Sequence, residues 1–268
     1  MSLYIQKNRT IICFSGEEAE KLLNSCLSVK FKTGEKKPLW WALLSAQGKI
    51  LAEGIGAYFD GRFYLDIHKS NKQAFLQKMK LYKMRSNVEI EDLENSHVLC
   101  WAKTKQEIGV NLKDPRDEAL GFHVIVEKEQ AGELGSETEF TLARIKTGIA
   151  QIVQDFTADK YFPHDLGMDL LNGVDFSKGC YIGQEIVSRM QHKGAKRKRI
   201  IIVSNIGGKK GDNLLMNEKA IGVIGEVKNG QAIAIVRLDK ITQKGNAKIN
   251  NQPVQLALPR WANYDFDK

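Results

Sequence analysis

The sequence predicts an α+β protein in two parts, a mixed α/β region over residues 1–197 and a small antiparallel β-barrel over residues 198–268. Three observations predict it. Up to residue 197, short apolar runs that read as strands alternate with segments of helical period. Beyond Arg199 the helical period stops, and short strands recur between the turn pairs Gly207-Gly208, Asn229-Gly230 and Asn250-Asn251. The length of 268 residues is enough for one large or two modest domains, each with its own core.

The first part begins with a buried strand at residues 11–14, and Ser15 with Glu18 forms a capping box for a helix carrying Ala19, Leu22, Leu23 and Cys26. Apolar runs at 39–46 and 50–59 are parted by Gln47-Gly48-Lys49. Asp60-Gly61 then turns the chain into a further strand at 63–67, completing an antiparallel meander. Ser70 with Gln73 caps the next helix, whose Phe75, Met79 and Tyr82 share one face. Strands follow at 88–90, 98–102 and 123–126, the last after the turn Lys113-Asp114-Pro115-Arg116. Ser136 and Glu139 cap a helix through Phe140, Ala143 and Ile145 that stops near Gly148. From 154 to 173 periodicity fails, and so long an irregular stretch inside a folded protein is usually functional.

Composition excludes several classes. With 43% hydrophobic and 27% charged residues the chain is an ordinary globular protein. No stretch approaches the roughly 18 apolar residues of a membrane span, and residues 1–7 carry neither a signal-peptide core nor an arginine-rich transit pattern, so a cytoplasmic location and no membrane partner are expected. Cys13, Cys26, Cys100 and Cys180 are scattered, without a CxxC pair or a histidine at ligand spacing. A disulfide framework, a zinc site and a resident four-cysteine cluster are all disfavoured, and no metal ligand is assigned. A net charge of +8 favours an anionic partner, and part of it lies in the run 193–199. That run reads as a solvated lead into the next strand. Nucleic acid is its functional rival, but no interleaved aromatics or recognition motif support one, so direct nucleic-acid binding is not expected.

The chemistry-bearing stretch is Phe176-Ser177-Lys178-Gly179-Cys180-Tyr181-Ile182-Gly183-Gln184-Glu185-Ile186-Val187-Ser188-Arg189. It puts a cysteine and a lysine in a glycine-bracketed turn before a helix with Ile186, Val187 and Met190 on one side and Glu185 four residues from Arg189. A thiol near a helix N-terminus and two residues from Lys178 loses its proton more easily than a free one. The plainer reading makes Cys180 a small apolar filler and Gly179 and Gly183 the makers of a tight turn. Arg189 either pairs with Glu185 at the surface or braces the cysteine turn.

Lys178-Gly179-Cys180-Tyr181-Ile182-Gly183-Gln184-Glu185 resembles the signature of the YgfZ branch of the glycine-cleavage T-protein superfamily, folate-binding proteins that support iron–sulfur enzymes. Phe14-Ser15-Gly16, the run 43–49, Arg144-Ile145-Lys146-Thr147-Gly148, Phe162-Pro163 and the run 194–199 fall where that family has landmarks, so the resemblance covers nearly the whole chain. It implies a first part of the T-protein type that binds tetrahydrofolate or a one-carbon derivative. It further implies a role in assembling, repairing or maintaining clusters in client enzymes, including tRNA-modifying ones, with client or assembly proteins as partners. Asp165 resembles the carboxylate that meets the pterin. Phe140, beside Arg144, and Tyr181 would supply flat walls, Arg199 a cation for the glutamate tail, and Cys180 with Lys178 the reactive pair, supported by Gly179, Gly183, Gln184, Glu185 and Arg189.

A true aminomethyltransferase of this superfamily has an Asp-Asp pair after a Gly-Gly turn. Here the run is Gly48-Lys49-Ile50-Leu51-Ala52-Glu53, with alanine in the first acidic place and a longer acid offset along the strand. Misplacement by about 1 Å costs about a hundredfold in rate. One-carbon transfer is therefore the alternative to an accessory role, and a nucleic-acid-binding module the second alternative.

Overall fold

The computed structural model describes residues 3–131, 137–193, 197–242 and 246–266. Strand β2 (Arg9–Ser15) is apolar on both faces because it is buried on both. Ile12 and Phe14 face a cluster with helices α1 (Ala19–Cys26) and α2 (Lys69–Lys83), while Ile11 and Cys13 face the opposite way. Its sheet is five-stranded and antiparallel, in the order β3 (Leu39–Leu44), β4 (Ile50–Phe59), β5 (Arg62–His68), β2, β6 (Glu89–Asp92). Against its second face packs a four-stranded antiparallel sheet ordered β1 (Tyr4–Ile5), β7 (His97–Ala102), β9 (Phe122–Glu127), β8 (Val110–Lys113), through Ile55, Ala57, Leu99 and Ile125.

The C-terminal strands are β10 (Lys198–Ser204), β11 (Asn213–Met216), β12 (Lys219–Lys228), β13 (Gln231–Arg237), β14 (Ala247–Ile249), β15 (Gln252–Pro253) and β16 (Gln255–Ala257). They form one antiparallel sheet in the order β15-β14-β11-β12-β13-β10-β16. The two outermost strands are consecutive in the chain, parted by Val254 alone, so the sheet curls into a nearly closed barrel around Ile201, Leu214, Ile224 and Val236. Helices α3 (Glu137–Thr147) and α4 (Gln184–Lys193) and the irregular segment lie between the barrel and β3–β4, and share one core with both.

The strand and helix positions expected from periodicity are found, but the capping is different. Ser15 stays in β2, and Glu18 accepts the N–H of Asn87 instead of closing a box. Helix α2 is capped by His68, whose Nδ1 accepts the Ser70 N–H at 3.1 Å, because β5 runs on to His68 and delivers its ring there. The expected cap at Ser136 and residues 194–196 of the basic run lie outside the described residues.

Candidate functional site

The cysteine turn is stitched to the segment that follows α1. Ser28 Oγ donates to Gly173 O at 2.7 Å, Asp175 N to Ser28 O at 2.8 Å, and Lys178 Nζ to Leu27 O at 2.7 Å and Val29 O at 2.9 Å. Asp175 fixes the turn from within, accepting the Ser177 N–H and hydroxyl and the Lys178 N–H, and these donors hold its carboxyl below the usual range despite partial burial. Gly183, at φ +80°, allows the start of α4 to touch the β3–β4 hairpin, since a Cβ there would lie 2.6 Å from Ser45 O. Gln184 Oε1 accepts the Tyr181 N–H at 3.3 Å. On this clamped turn Cys180 faces solvent, whereas Cys13, Cys26 and Cys100 are buried.

Lys178, expected as half of a reactive pair with Cys180, is engaged inside the protein. Its side chain is buried, its ammonium binds two carbonyls, and it sits 4.9 Å from the Tyr181 ring centroid. Desolvation lowers its pKa to about 8. It is a clamp. Cys180, moreover, lies four residues before the first residue of α4, outside the first turn where a helix terminus exerts its field. Glu185 and Arg189 are both exposed on α4.

Among the described residues, the side chains expected around a folate each have partners within the protein. Asp165, in a short 3-10 turn (Pro163–Leu166), is buried and works as a cap: it accepts the Phe162 N–H at 3.0 Å while its own N–H donates to Phe162 O. Burial raises its pKa, with Lys198, Lys49 and Arg199 opposing the rise. Arg199 is a buried fork on Asp169, at 2.9 and 3.0 Å, and also donates to His164 O, so those donors are committed inside the protein. Arg144 is committed likewise, to Asp155, Ile149 O and Glu226. Tyr181 belongs to the core beneath α4. Phe140 packs on Trp101 and His123 and borders a cleft with Tyr4, Gln6, Arg9 and Gln151. That cleft has about 30 Å³ of free volume, room for about one water and not for a pterin.

Two features escaped the sequence reading. One is a buried ionic network between the two sheets of the first part. Arg9 forks onto Asp66 and reaches Glu53, His123 joins Asp114 at 2.9 Å, and Arg116 forks onto Asp114. Arg116 and His123 hold the Asp114 carboxyl far below the usual range. Glu53, 1% exposed, accepts from Trp40 Nε1 at 2.9 Å, Arg9 and the Ile152 N–H. The signal was there, in single charges set inside apolar runs such as Ile50–Phe59 and Arg62–His68. The other feature is an open cleft of about 400 Å³ beside the cysteine turn, lined by Lys30, Lys32, Glu35 and Lys37 together with Asp175 and Phe176.

Known proteins place this geometry. Residues 197–264 match the family model described as CAF17, C-terminal beta-barrel domain. Proteins named iron-sulfur cluster assembly factor IBA57 homolog, mitochondrial, are similar along most of the chain. That of Mycosarcoma maydis is 30% identical over 74% of this chain and 55% of its own length. That of Pyricularia oryzae is 27% identical over 73% and 55%, and that of Dictyostelium discoideum 32% identical over 53% and 40%. The chain thus spans about half the length of the curated relatives it matches. These names overturn the expectation of a cytoplasmic protein, because each relative is called mitochondrial. Among solved structures, the glycine cleavage system aminomethyltransferase T from Bartonella henselae superposes with a TM-score of 0.73 over 96% of this chain and 84% of that one, at 17% identity. The chain therefore has the fold of the glycine-cleavage T-protein, ends in a β-barrel of the CAF17 kind, and is similar in sequence to iron–sulfur cluster assembly factors.

Proposed function

We propose that this chain is an accessory factor in iron–sulfur cluster assembly and that Cys180 touches the cluster, as cargo, while it passes between partners. The observation that carries the reading is a solvent-facing thiol on a clamped turn in a chain whose other cysteines are buried. Among the described residues no three His, Cys, Asp or Glu side chains are grouped to hold a metal, so the remaining ligands come from a carrier or client protein. The relatives' names support the same reading. Clients that modify tRNA are the finer part of the proposal.

Tetrahydrofolate belongs to this reading on one condition. The residues expected to hold it do not fit it as they stand, since Arg199 and Arg144 have protein partners and the Phe140 cleft is small. Folate binding requires that cleft to widen, and no step is routed through it. One-carbon transfer is less favoured, because the Glu53 carboxylate is buried and engaged at both oxygens.

The test is anaerobic transfer from a [2Fe–2S]-loaded carrier to an apo-hydratase that needs a [4Fe–4S] cluster, with a dithiol reductant added to supply the two electrons that join two [2Fe–2S] units into one [4Fe–4S]. Wild type and Cys13→Ser are expected to raise the recovered activity, and Cys180→Ser to leave it at the level without the chain. Equal stimulation by Cys180→Ser sinks the role of the thiol. Thermal unfolding with tetrahydrofolate tests the other part. At a hundred times its dissociation constant a ligand adds about 2.7 kcal/mol, roughly 2–4 °C per kcal/mol at this size. No shift removes folate and leaves the cluster reading standing.

A further inference from the structure

The end of helix α2 breaks two ordinary rules at one place. Leu81, in the last turn of the helix, is 70% exposed, and Met84, the first residue past the helix, is 83% exposed. Buried Phe75 and Met79 hold the opposite side of the helix on the five-stranded sheet, so the pair is presented on a fixed support. Directly after the helix, the Ser86 N–H donates to Lys83 O at 2.8 Å, which closes a four-residue turn with Met84 at its first central position. Met84 there has φ 48° and ψ −110°, the type II′ geometry in which glycine is the usual residue. A bulky side chain thus occupies a strained glycine position and leaves nearly all of its apolar surface in water. Neither core packing nor turn preference explains it, and backbone strain of this kind is characteristic of functional positions.

Along the helix and its turn the charges are of one sign, and the nearest acid brought in from another element, Glu18, accepts the Asn87 N–H just past the turn. Residues 69–88 contain no aspartate or glutamate. Lys69 and Lys72, at the start of the helix, are neutralised by Glu94 and Asp92. Lys78, Lys80, Lys83 and Arg85, at its end, have no ion pair among the described residues. Cations in a last helical turn have an ordinary use against the helix dipole, but that use asks for neither an exposed leucine nor an exposed methionine.

We propose that this tip is a contact surface for an anionic lipid bilayer: Leu81 and Met84 dip below the headgroups, and Lys78, Lys80, Lys83 and Arg85 lie on the lipid phosphates. A bilayer supplies an apolar phase and a negative surface together, and being fluid it needs no complementary pocket. Two side chains on a convex helix end are too small a patch for a stable protein partner, which needs about 800 Å² per side. Leucine and methionine offer no flat ring for base stacking, as a nucleic acid would require. No helix among the described residues is long and apolar enough to cross a membrane, and surface contact does not ask for one.

Flotation of the full chain with vesicles tests this, using phosphatidylcholine alone and with about 30 mol % phosphatidylglycerol. Binding is expected to the anionic vesicles alone and to weaken as salt is raised. Leu81→Ser with Met84→Gly is expected to lower affinity about tenfold or more. Met84→Gly by itself is expected to hold or raise the melting temperature, because glycine relieves the turn, so a misfolded variant would not be mistaken for a loss of contact. Lys80→Glu with Lys83→Glu is expected to abolish binding. If charge reversal abolishes it while Leu81→Ser with Met84→Gly binds as wild type, the surface is purely electrostatic, of the kind a nucleic acid also meets, and the lipid proposal is overturned. Absence of binding to the anionic vesicles overturns it as well.

Discussion

Cys180 and Lys178 are two residues apart and live in different media. The thiol is in water, while the amine is inside, bonded to Leu27 O and Val29 O. Burial pushes the Cys13 and Cys100 thiols up to about 11 and raises that of Cys26. An alkylating reagent at pH 8 is therefore expected to modify one thiol per native chain, placed at Cys180 by peptide mapping. Modification of Cys26 in the native state would mean that the clamp beside it opens. Lys178 sets a pH dependence. Its pKa is about 8 in the fold against an ordinary 10.5, so between those values the unfolded chain binds the extra proton. Stability of wild type relative to Lys178→Met is expected to rise as pH goes from about 8 to 10.5 and to be flat below 8. The neutral amine still has two N–H groups for its two carbonyls. Urea midpoints of both proteins at pH 7.5 and 10 check this, and parallel changes would count against a buried, destabilised ammonium.

At the scale of elements, what could be read from the sequence was whatever depends on near neighbours. The apolar runs of β2 to β5, the helical faces of α1 and α2, and the turn at Gly48 follow from local pattern. The caps did not, because Ser15 and Ser70 fit a local capping box while distant pairing decides the outcome: β2 keeps Ser15 in register with Glu89, and β5 carries His68 to the start of α2. The protein partners of the expected ligand residues were hidden for a similar reason. Arg199 finds Asp169 across 30 positions and Arg144 finds Glu226 across 82, and no window of sequence shows such pairs. The His68 cap is testable. Its Nδ1 accepts a hydrogen bond only when unprotonated, and desolvation with Arg9 nearby lowers its pKa to about 4. The unfolded chain binds this proton first, so stability contributed here is present above about 6.5 and lost as pH falls through 4. His68→Asn keeps an acceptor at the cap. It is expected to flatten the decline in melting temperature between pH 6.5 and 4, and an unchanged decline would place it in other groups.

Across the whole molecule, the barrel and the α/β part are held as one body by groups that meet face to face. The core beneath α3 and α4 takes Trp40 and Ile50 from the first sheet, Ile145 and Val187 from the helices, and Ile200, Ile233 and Ile235 from the barrel. The tail after β16 crosses back over the junction. Trp261 Nε1 donates to Thr147 O at 2.8 Å, Arg260 Nε to Asp117 at 2.8 Å, and Pro259 packs so closely on Gly148 that a Cβ there would lie 2.5 Å from its ring. Arg144 adds an ion pair to Glu226 on β12. A shared core of this kind does not let one part melt while the other stands, since either alone would expose the apolar face of its partner. Calorimetry of the full chain is expected to show one transition. Trp261→Ala removes a half-buried aromatic wedge and a part-buried hydrogen bond, a loss of about 3 kcal/mol, so it should lower that transition by roughly 6–12 °C at this chain length without splitting it. Two transitions in wild type, or a variant in which only one of two peaks moves, would show instead that the barrel folds independently of the part that carries Cys180.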